Sequence, residues 1–482
     1  LNGPVKRKVW PFGDSIQGLF LTRVHANRMG IATLPPTEPM PPDSRQAIST
    51  ERSPWLRGAL RVPGDAIVTH LALLLAAICR GETTIAGGLE SAGAAATQRA
   101  VNALGAVCTP DAAGNLHVHG LGVGGLLEPE GHLDFGDSAL GVALTMGLVA
   151  GTDIRVRFTA DPEVSAIART PLLDGLRALG CAIDAADRGR LPLTLRGPDL
   201  VLPAELTLPV GAPVTKAALM LAALNGRKPA TLIEPQTSWN HAERMLRRFG
   251  APVDVTKLDG GGQRITVGGL PELRAQQVDV PADPSLAALG AAAAALVPGS
   301  EVSIARVLLN PARTAVLSAL MAMGAALEIR DLQHEGGEEV GNLLVRQAPL
   351  RAVAFAAQHV APLIADLPLL AVVAAFAEGE TIFYLPPGLP LLEHARLATL
   401  SQALTANGIR NLVTEEAVVV GGGPTVPGGA GLELDDPGIA LAMLILGMGA
   451  QQRVTLEDRS VIDERFPGFV KAFEEIGAGF VS

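Results

Sequence analysis

Six times along this chain an amphipathic run ends in glycine and passes into a short strand-like stretch: VNALGAVC, LRALGCAI, LRRFGAPV, LMAMGAAL, LTANGIRN and FEEIGAGF. The glycines are Gly105, Gly180, Gly250, Gly324, Gly408 and Gly477, spaced 75, 70, 74, 84 and 69 residues apart. Such a recurrence constrains the fold strongly, because each copy must be one supersecondary unit that buries its apolar face against its neighbours. A second element keeps the same period. It is an Ala/Leu-rich run closed by a glycine and followed by β-branched residues, as in LALLLAAICRGETTI, VALTMGLVAGTDIRV and LLAVVAAFAEGETIF. Glycine is the residue expected just past a helix end, where φ turns positive.

Each unit therefore reads as helix, strand, helix, strand, with further strands between. The first helix of a unit is apolar on nearly every side and is expected to be buried. The second carries charge on one face, as in HAERMLRRFG, and is expected at the surface. Six such units account for the chain from about residue 56 onward. They imply an α/β (α+β) protein, arranged as one ring or as two lobes of three; periodicity alone does not choose.

The 482 residues carry a net charge of -10, so an extended nucleic-acid footprint, which needs a basic face, is not expected. Mean hydropathy is +0.32, yet apolar runs such as IALAMLILGMG fall short of the about 20 residues that a spanning helix needs. They read as core helices, with no membrane role. Cys79, Cys108 and Cys181 lie in apolar surroundings without CxxC spacing and read as buried thiols in a reducing cytoplasm. The nine histidines show no HExxH or similar spacing, so no metal is expected. Residues 1–55 hold a basic run (Lys6, Arg7, Lys8) and then LPPTEPMPPDS; they read as a disordered extension outside the packed fold.

Several segments, taken in order from residue 56 to the end, resemble the EPSP synthase family, the enolpyruvyl transferases of the shikimate pathway, and most closely its bacterial glyphosate-insensitive type. VPGDAIVTHLALLLAA is similar to the family's G-D-K-S segment with its following H-R. LDFGDSALGVALTMGLVAG, DVPADPSLAALGAAAAALVPGSEV, LNPARTAVLSALMAMGA, LLEHARLATLSQALTANG and LELDDPGIALAMLILG are similar to its D-x-G-N, V-P-G-D, N-x-x-R, K-E-S-D-R and D-H-R segments. The resemblance implies a two-lobe inside-out α/β barrel built from six βαβαββ repeats. It also implies one lobe of 56–65 plus 281–482, a second of 66–280, and a ligand cleft between them. The implied reaction joins phosphoenolpyruvate to 3-phosphoshikimate with release of phosphate. No cofactor is implied, and a cytoplasmic monomer is expected.

Two multiply anionic substrates held side by side need several fixed cations, and the transfer needs acid/base groups. At the positions where the resemblance places them, this chain has other residues. The lysine and serine of G-D-K-S fall on Ala66 and Ile67, and the arginine after His70 falls on Leu71. The asparagine of D-x-G-N falls on Asp137, followed by Ser138, and the arginine of that segment falls on Ala143. Further cationic or polar positions fall on Ala166, Ile167, Ala212, Pro213, Val214, Trp239, Leu392 and Gly438. The catalytic aspartate falls on Ala365, with Asp366 one residue beyond and Arg169 two beyond Ile167. Neither neighbour is expected to compensate, since a one-residue step turns a side chain by about 100° on a helix.

Glu393 and Arg396 survive, three apart on one helix face, as the candidate acid/base group and a candidate carboxylate ligand. Lys216, Asp137 and Ser138 are the other substrate-binding candidates. Asp65, Asp283, Asn310 and Arg313 are expected to cap turns and brace the hinge. On this reading the chain is a degenerate family member with little or no family activity. The alternatives are an active 3-phosphoshikimate 1-carboxyvinyltransferase with an atypical site, and a cleft used for a less charged ligand or a protein partner.

Overall fold

The computed structural model describes residues 46–185 and 187–481. The six repeat glycines all sit in left-handed backbone, with φ of 95°, 104°, 99°, 102°, 75° and 102° in chain order. A side chain at these positions would be strained, which is why the repeat keeps glycine there.

Among the described residues there are six four-stranded sheets of one design. In each, a leading strand runs parallel to the second, and the other two join antiparallel. The strand Leu133–Asp134, for example, pairs parallel with Arg155–Thr159, which pairs antiparallel with Leu193–Arg196, which in turn pairs with Ala182–Ala185. Three sheets surround the helices Ala66–Ala77, Ala139–Ala150 and Pro213–Ala223; the other three surround Pro284–Leu296, Leu367–Ala375 and Pro437–Gly449. These helices are buried nearly all round, as their unbroken apolar sequences require. Two separate hydrophobic cores result, one per lobe. Small residues let the backbones approach closely. A Cβ added at Gly147 would lie 2.2 Å from the carbonyl oxygen of Ala218 on the neighbouring helix. One helical stretch, Ala357–Ala375, is long and apolar enough to cross a membrane by length and composition. Its second part, Leu367–Ala375, lies wholly within the first-lobe core.

The sixth unit corrects the expectation for residues 1–55. Its sheet takes a strand from that segment: Ile48–Glu51 pairs antiparallel with both Val454–Leu456 and Gly479–Val481. Thr50 seats against the helix Pro437–Gly449 where Gly447 leaves room for it; a Cβ at Gly447 would lie 1.9 Å from Thr50 Oγ1. The remainder of the expected extension, residues 1–45, lies outside the described residues.

The chain passes between the lobes at two crossings, each just after a strand that pairs within the lobe it leaves. Arg57–Leu60 pairs with Glu301–Leu308 in the first lobe, and Gln277–Asp279 with Arg80–Ala86 in the second. Between them the two crossing segments hydrogen-bond to each other: Asp65 N donates to Pro281 O at 2.8 Å and Asp283 N to Pro63 O at 3.0 Å. Space is tight here, since a Cβ at Gly64 would meet Gly87 O at 2.2 Å.

Candidate active-site cleft

Central helices of both lobes begin at an inter-lobe cavity of about 300 Å³, lined among others by Ala66, Asp137, Asp283, Pro437 and Arg465. Helix N-termini are natural anion sites when their amides are free. Here most are already taken. Asp65 accepts from Val68 N at 2.9 Å, Asp283 from Ser285 N at 2.7 Å, Asp436 from Ile439 N at 2.8 Å, and Ser138 Oγ from Gly141 N at 3.1 Å. Three of these caps carry negative charge, which offsets the positive ends of their helices. Ser138, a substrate-binding candidate, is therefore a buried cap. Asp137 does face the cavity, among other acids. Asp161 is pushed above the usual carboxylate range by burial and by the charges of Asp134, Asp137 and Glu163. Glu464 is pushed up by burial and by Asp137 and Asp161.

Two further candidates are committed inside the protein. Lys216 is completely buried; its Nζ lies 2.9 Å from Glu243 and 3.2 Å from Glu234, and donates to Trp239 O at 2.8 Å. It is the internal partner of two acids and is not exposed to the cleft, which corrects the substrate-binding expectation. Arg169 donates to Ile167 O at 2.7 Å and Val164 O at 2.6 Å, so it does not stand in for the missing cation. His70 is buried against Thr97, Nδ1 to Oγ1 2.8 Å, and burial lowers its pKa to about 4.

The first-lobe wall is different. Arg396 reaches from the helix Leu391–Ala406 to Ile364 O at 3.1 Å and Ala365 O at 3.2 Å, and ion-pairs with Asp436. Burial pushes the Asp436 carboxyl up, but the hydrogen bond and charge of Arg396 outweigh it and hold the group below the ordinary range. Glu393 Oε2 lies 3.8 Å from Arg396 Nη1 and has no hydrogen-bond partner among the described residues, although the atom is buried.

Sequence reasoning missed Arg465, at the end of the helix Ser460–Arg465. A Cβ on Gly438 would lie 2.8 Å from Arg396 Nη2 and 2.8 Å from Arg465 Nη1. Two guanidiniums thus crowd the place where the resemblance expects an arginine side chain. Asp366 lines the same small pocket with Ala365, Gly438 and Arg465. It accepts from Ser285 Oγ at 3.3 Å and lies 3.7 Å from Arg465. Burial raises its carboxyl pKa above the ordinary value, Asp283 adds to this, and Arg465, Ser285 and Arg313 oppose it. The neighbour of Ala365 therefore brings a carboxyl to this pocket, contrary to the sequence expectation. Asp366 ends the 3-10 turn Ala361–Asp366, and both Ala365 and Asp366 line the pocket, although one residue there turns a side chain by about 120°.

Behind the cleft, Arg313 ties the two crossing segments together. It lies 3.0 Å from Asp65 and 3.2 Å from Asp283. Asn310 donates to Asn240 at 2.9 Å and to Glu338 at 3.0 Å, and Glu338 holds His241 at 2.7 Å. The four residues expected to cap and brace the hinge do so.

A sequence profile described as EPSP synthase (3-phosphoshikimate 1-carboxyvinyltransferase) matches residues 51–473. The chain belongs to the EPSP synthase family. A relative from Parvibaculum lavamentivorans named 3-phosphoshikimate 1-carboxyvinyltransferase is 39% identical over 440 residues, 91% of this chain and 98% of the relative. One of the same name from Rhodospirillum rubrum is 39% identical over 445 residues, 91% of this chain and 99% of the relative. The EPSP synthase of Acinetobacter baumannii superposes with a TM-score of 0.82 at 27% identity, covering 91% of this chain and all of that one. The enolpyruvyl transferase NikO from Streptomyces tendae, at 20% identity and a TM-score of 0.70 over 90% of this chain and 98% of its own, shares the fold. The family settles the arrangement that periodicity left open: two lobes rather than one ring.

Proposed function

We infer that this chain is an active carboxyvinyl transferase with an atypical site, in place of the degenerate protein that its substitutions alone suggest. Nearly full-length identity of 39% to proteins named 3-phosphoshikimate 1-carboxyvinyltransferase supports the class of reaction. The observation that carries the site is the meeting of Arg396 and Arg465 at Gly438, beside Asp366. Arg396 is held by Ile364 O, Ala365 O and Asp436, which leaves Arg465 as the guanidinium offered to the carboxylate of an enolpyruvyl donor. In the transfer, the acceptor hydroxyl gives its proton to a base as its oxygen bonds to the enol carbon, while the methylene carbon gains a proton and becomes a methyl group. The bond to phosphate then breaks, and the methylene carbon gives the proton back. A carboxyl with a raised pKa is suited to such traffic. Asp366 takes that role, with Glu393, whose Oε2 has no hydrogen-bond partner among the described residues, as the second acid/base group. The lobes are taken as 66–280 against the remainder of the described chain, closing on the substrates between them.

A second reading, a cleft without family activity, is favoured by Asp137 and Glu464 on its rim. Phosphate release from phosphoenolpyruvate and 3-phosphoshikimate separates the two. We expect turnover that needs millimolar substrates. Arg465→Ala should lower kcat/KM by about 10- to 150-fold, the equivalent of a lost charge-assisted hydrogen bond of about 1.5–3 kcal/mol. No phosphate release from the intact protein at millimolar substrates would leave only the second reading.

A further inference from the structure

An open cavity of about 610 Å³ lies where the second-lobe helix His241–Phe249 meets the first-lobe hairpin of Ala326–Glu335 and Glu338–Arg346. It shares no lining residue with the two cleft cavities described above. Arg244, Arg247 and Arg248 line it from the helix, and His334, Gly336 and Gly337 from the hairpin. The three arginines share one helix face at i, i+3 and i+4, where like charges repel. Cations in a last helix turn do complement the helix dipole, but that role is met at the surface and needs no burial. The charges are not all neutralised from within. Arg244 is committed: it donates to Asn240 Oδ1 at 2.8 Å and to Gly337 O, and lies 3.4 Å from Glu338. Glu338 is itself held by His241 and Asn310, and Glu335 pairs with Arg306 at 2.8 Å. Arg247 and Arg248 form no ion pair among the described residues. Arg247 is exposed and uses only its Nε, on Val253 O at 2.9 Å. Arg248 is half-buried and uses only its Nη2, on Gln277 O. Its Nη1 lies over Gly336, which has a φ of 60° and no side chain; a Cβ there would run into the guanidinium. Burial pulls the Arg248 pKa down, and the charges of Asp279 and Glu335 oppose this without forming an ion pair. A desolvated guanidinium with no carboxylate beside it is costly, and an oxyanion shared with a second guanidinium relieves the cost.

We propose that this cavity is an anion site apart from the cleft, in which Arg247 and Arg248 hold a phosphate group against His334 and the Gly336–Gly337 turn. Inorganic phosphate and the phosphate end of a small ester share that chemistry, and the volume admits either. The helix belongs to one lobe and the hairpin to the other, so an occupant favours the lobe arrangement in which they meet. The site stands whichever chemistry the cleft performs.

The test is calorimetric titration of the full chain with inorganic phosphate and with ribose 5-phosphate, in buffer free of phosphate and sulfate. Arg465→Ala serves as the background, because it removes the guanidinium that the cleft offers to an anion. Saturable phosphate binding with Kd of about 0.1–1 mM is expected in the unaltered protein and in this background alike. Adding Arg248→Gln should weaken it at least about tenfold. Arg247→Ala, at an exposed position, should do the same with an unchanged melting temperature before phosphate is added. Hydrogen exchange of the hairpin amides near Gly336 should slow when phosphate binds, and should not respond in the Arg247→Ala protein. Ribose 5-phosphate bound more tightly than phosphate assigns the site to an ester; equal or weaker binding assigns it to free phosphate, and either supports the site. The inference is overturned if no saturation is reached at about 10 mM phosphate, if Arg465→Ala alone abolishes binding, or if neither helix variant weakens it.

Discussion

Replacing Arg313 by methionine probes the contact that holds the two crossing segments together. One guanidinium lies between two carboxylates, 3.0 Å from Asp65 and 3.2 Å from Asp283, and Asp65 is wholly shielded from solvent. Breaking a buried ion pair by deleting one partner costs about 3–5 kcal/mol, because the remaining charge stays desolvated. Arg313→Met strands two carboxylates, although each keeps its capping hydrogen bonds to a helix start. The expected loss at pH 7 is therefore about 3–5 kcal/mol, measured by urea denaturation, a large part of the about 5–15 kcal/mol typical of a folded domain. The pH dependence has a definite sign. Asp283 already has a raised pKa, by burial first and then by the charge of Asp65, against the pull of Arg313. Without the guanidinium it rises further. A carboxyl whose folded pKa lies above its unfolded value favours the folded state most when protonated, and that advantage disappears as pH rises through the folded value. The gap between Arg313→Met and the unaltered protein should thus be widest near neutrality and narrow toward pH 4. Asp65→Asn added to Arg313→Met should recover part of the loss, since it removes one stranded charge. A cost below about 1 kcal/mol at pH 7, or a gap that widens in acid, would refute the bracing role.

Lys216→Met should destabilise the second lobe by about 3–5 kcal/mol, because Glu234 and Glu243 lose their shared buried cation. Adding Glu243→Gln should return part of it in the same denaturation experiment, whereas no recovery would mean that lost packing dominates. His70 is held neutral down to about pH 4, against an ordinary value of 6.5. As pH falls from 6.5 to 4 the unfolded chain takes up the proton first, so stability drops by about 3 kcal/mol in total, and His70→Gln should remove that part of the acid slope in a pH series of melting curves.

Much of the architecture was legible in the sequence because it depends on local chemistry. A glycine that ends a helix, an aspartate that begins one, and a run too apolar to face water are each set within a few residues. Gly105 through Gly477 adopt the expected left-handed turns, and Asp65 and Asp283 cap the helices they precede. The loss of cations at Ala66, Leu71, Ala143 and Ile167 is equally a property of the sequence. Long-range pairing was not legible. Ile48–Glu51 is four residues long, too short to show alternation, and its partners lie some four hundred residues away. Lys216 could be read as a free cation until the fold brought Glu234 and Glu243 to it. At the cleft, matching positions one by one registered a missing arginine at Gly438. It could not register that the vacated space is occupied by guanidiniums from two other helices. Sequence dictates which residues each segment contributes and which faces they bury. Only tertiary packing decides which charges meet, because hydrogen bonds and ion pairs act over a few ångströms whatever the separation along the chain.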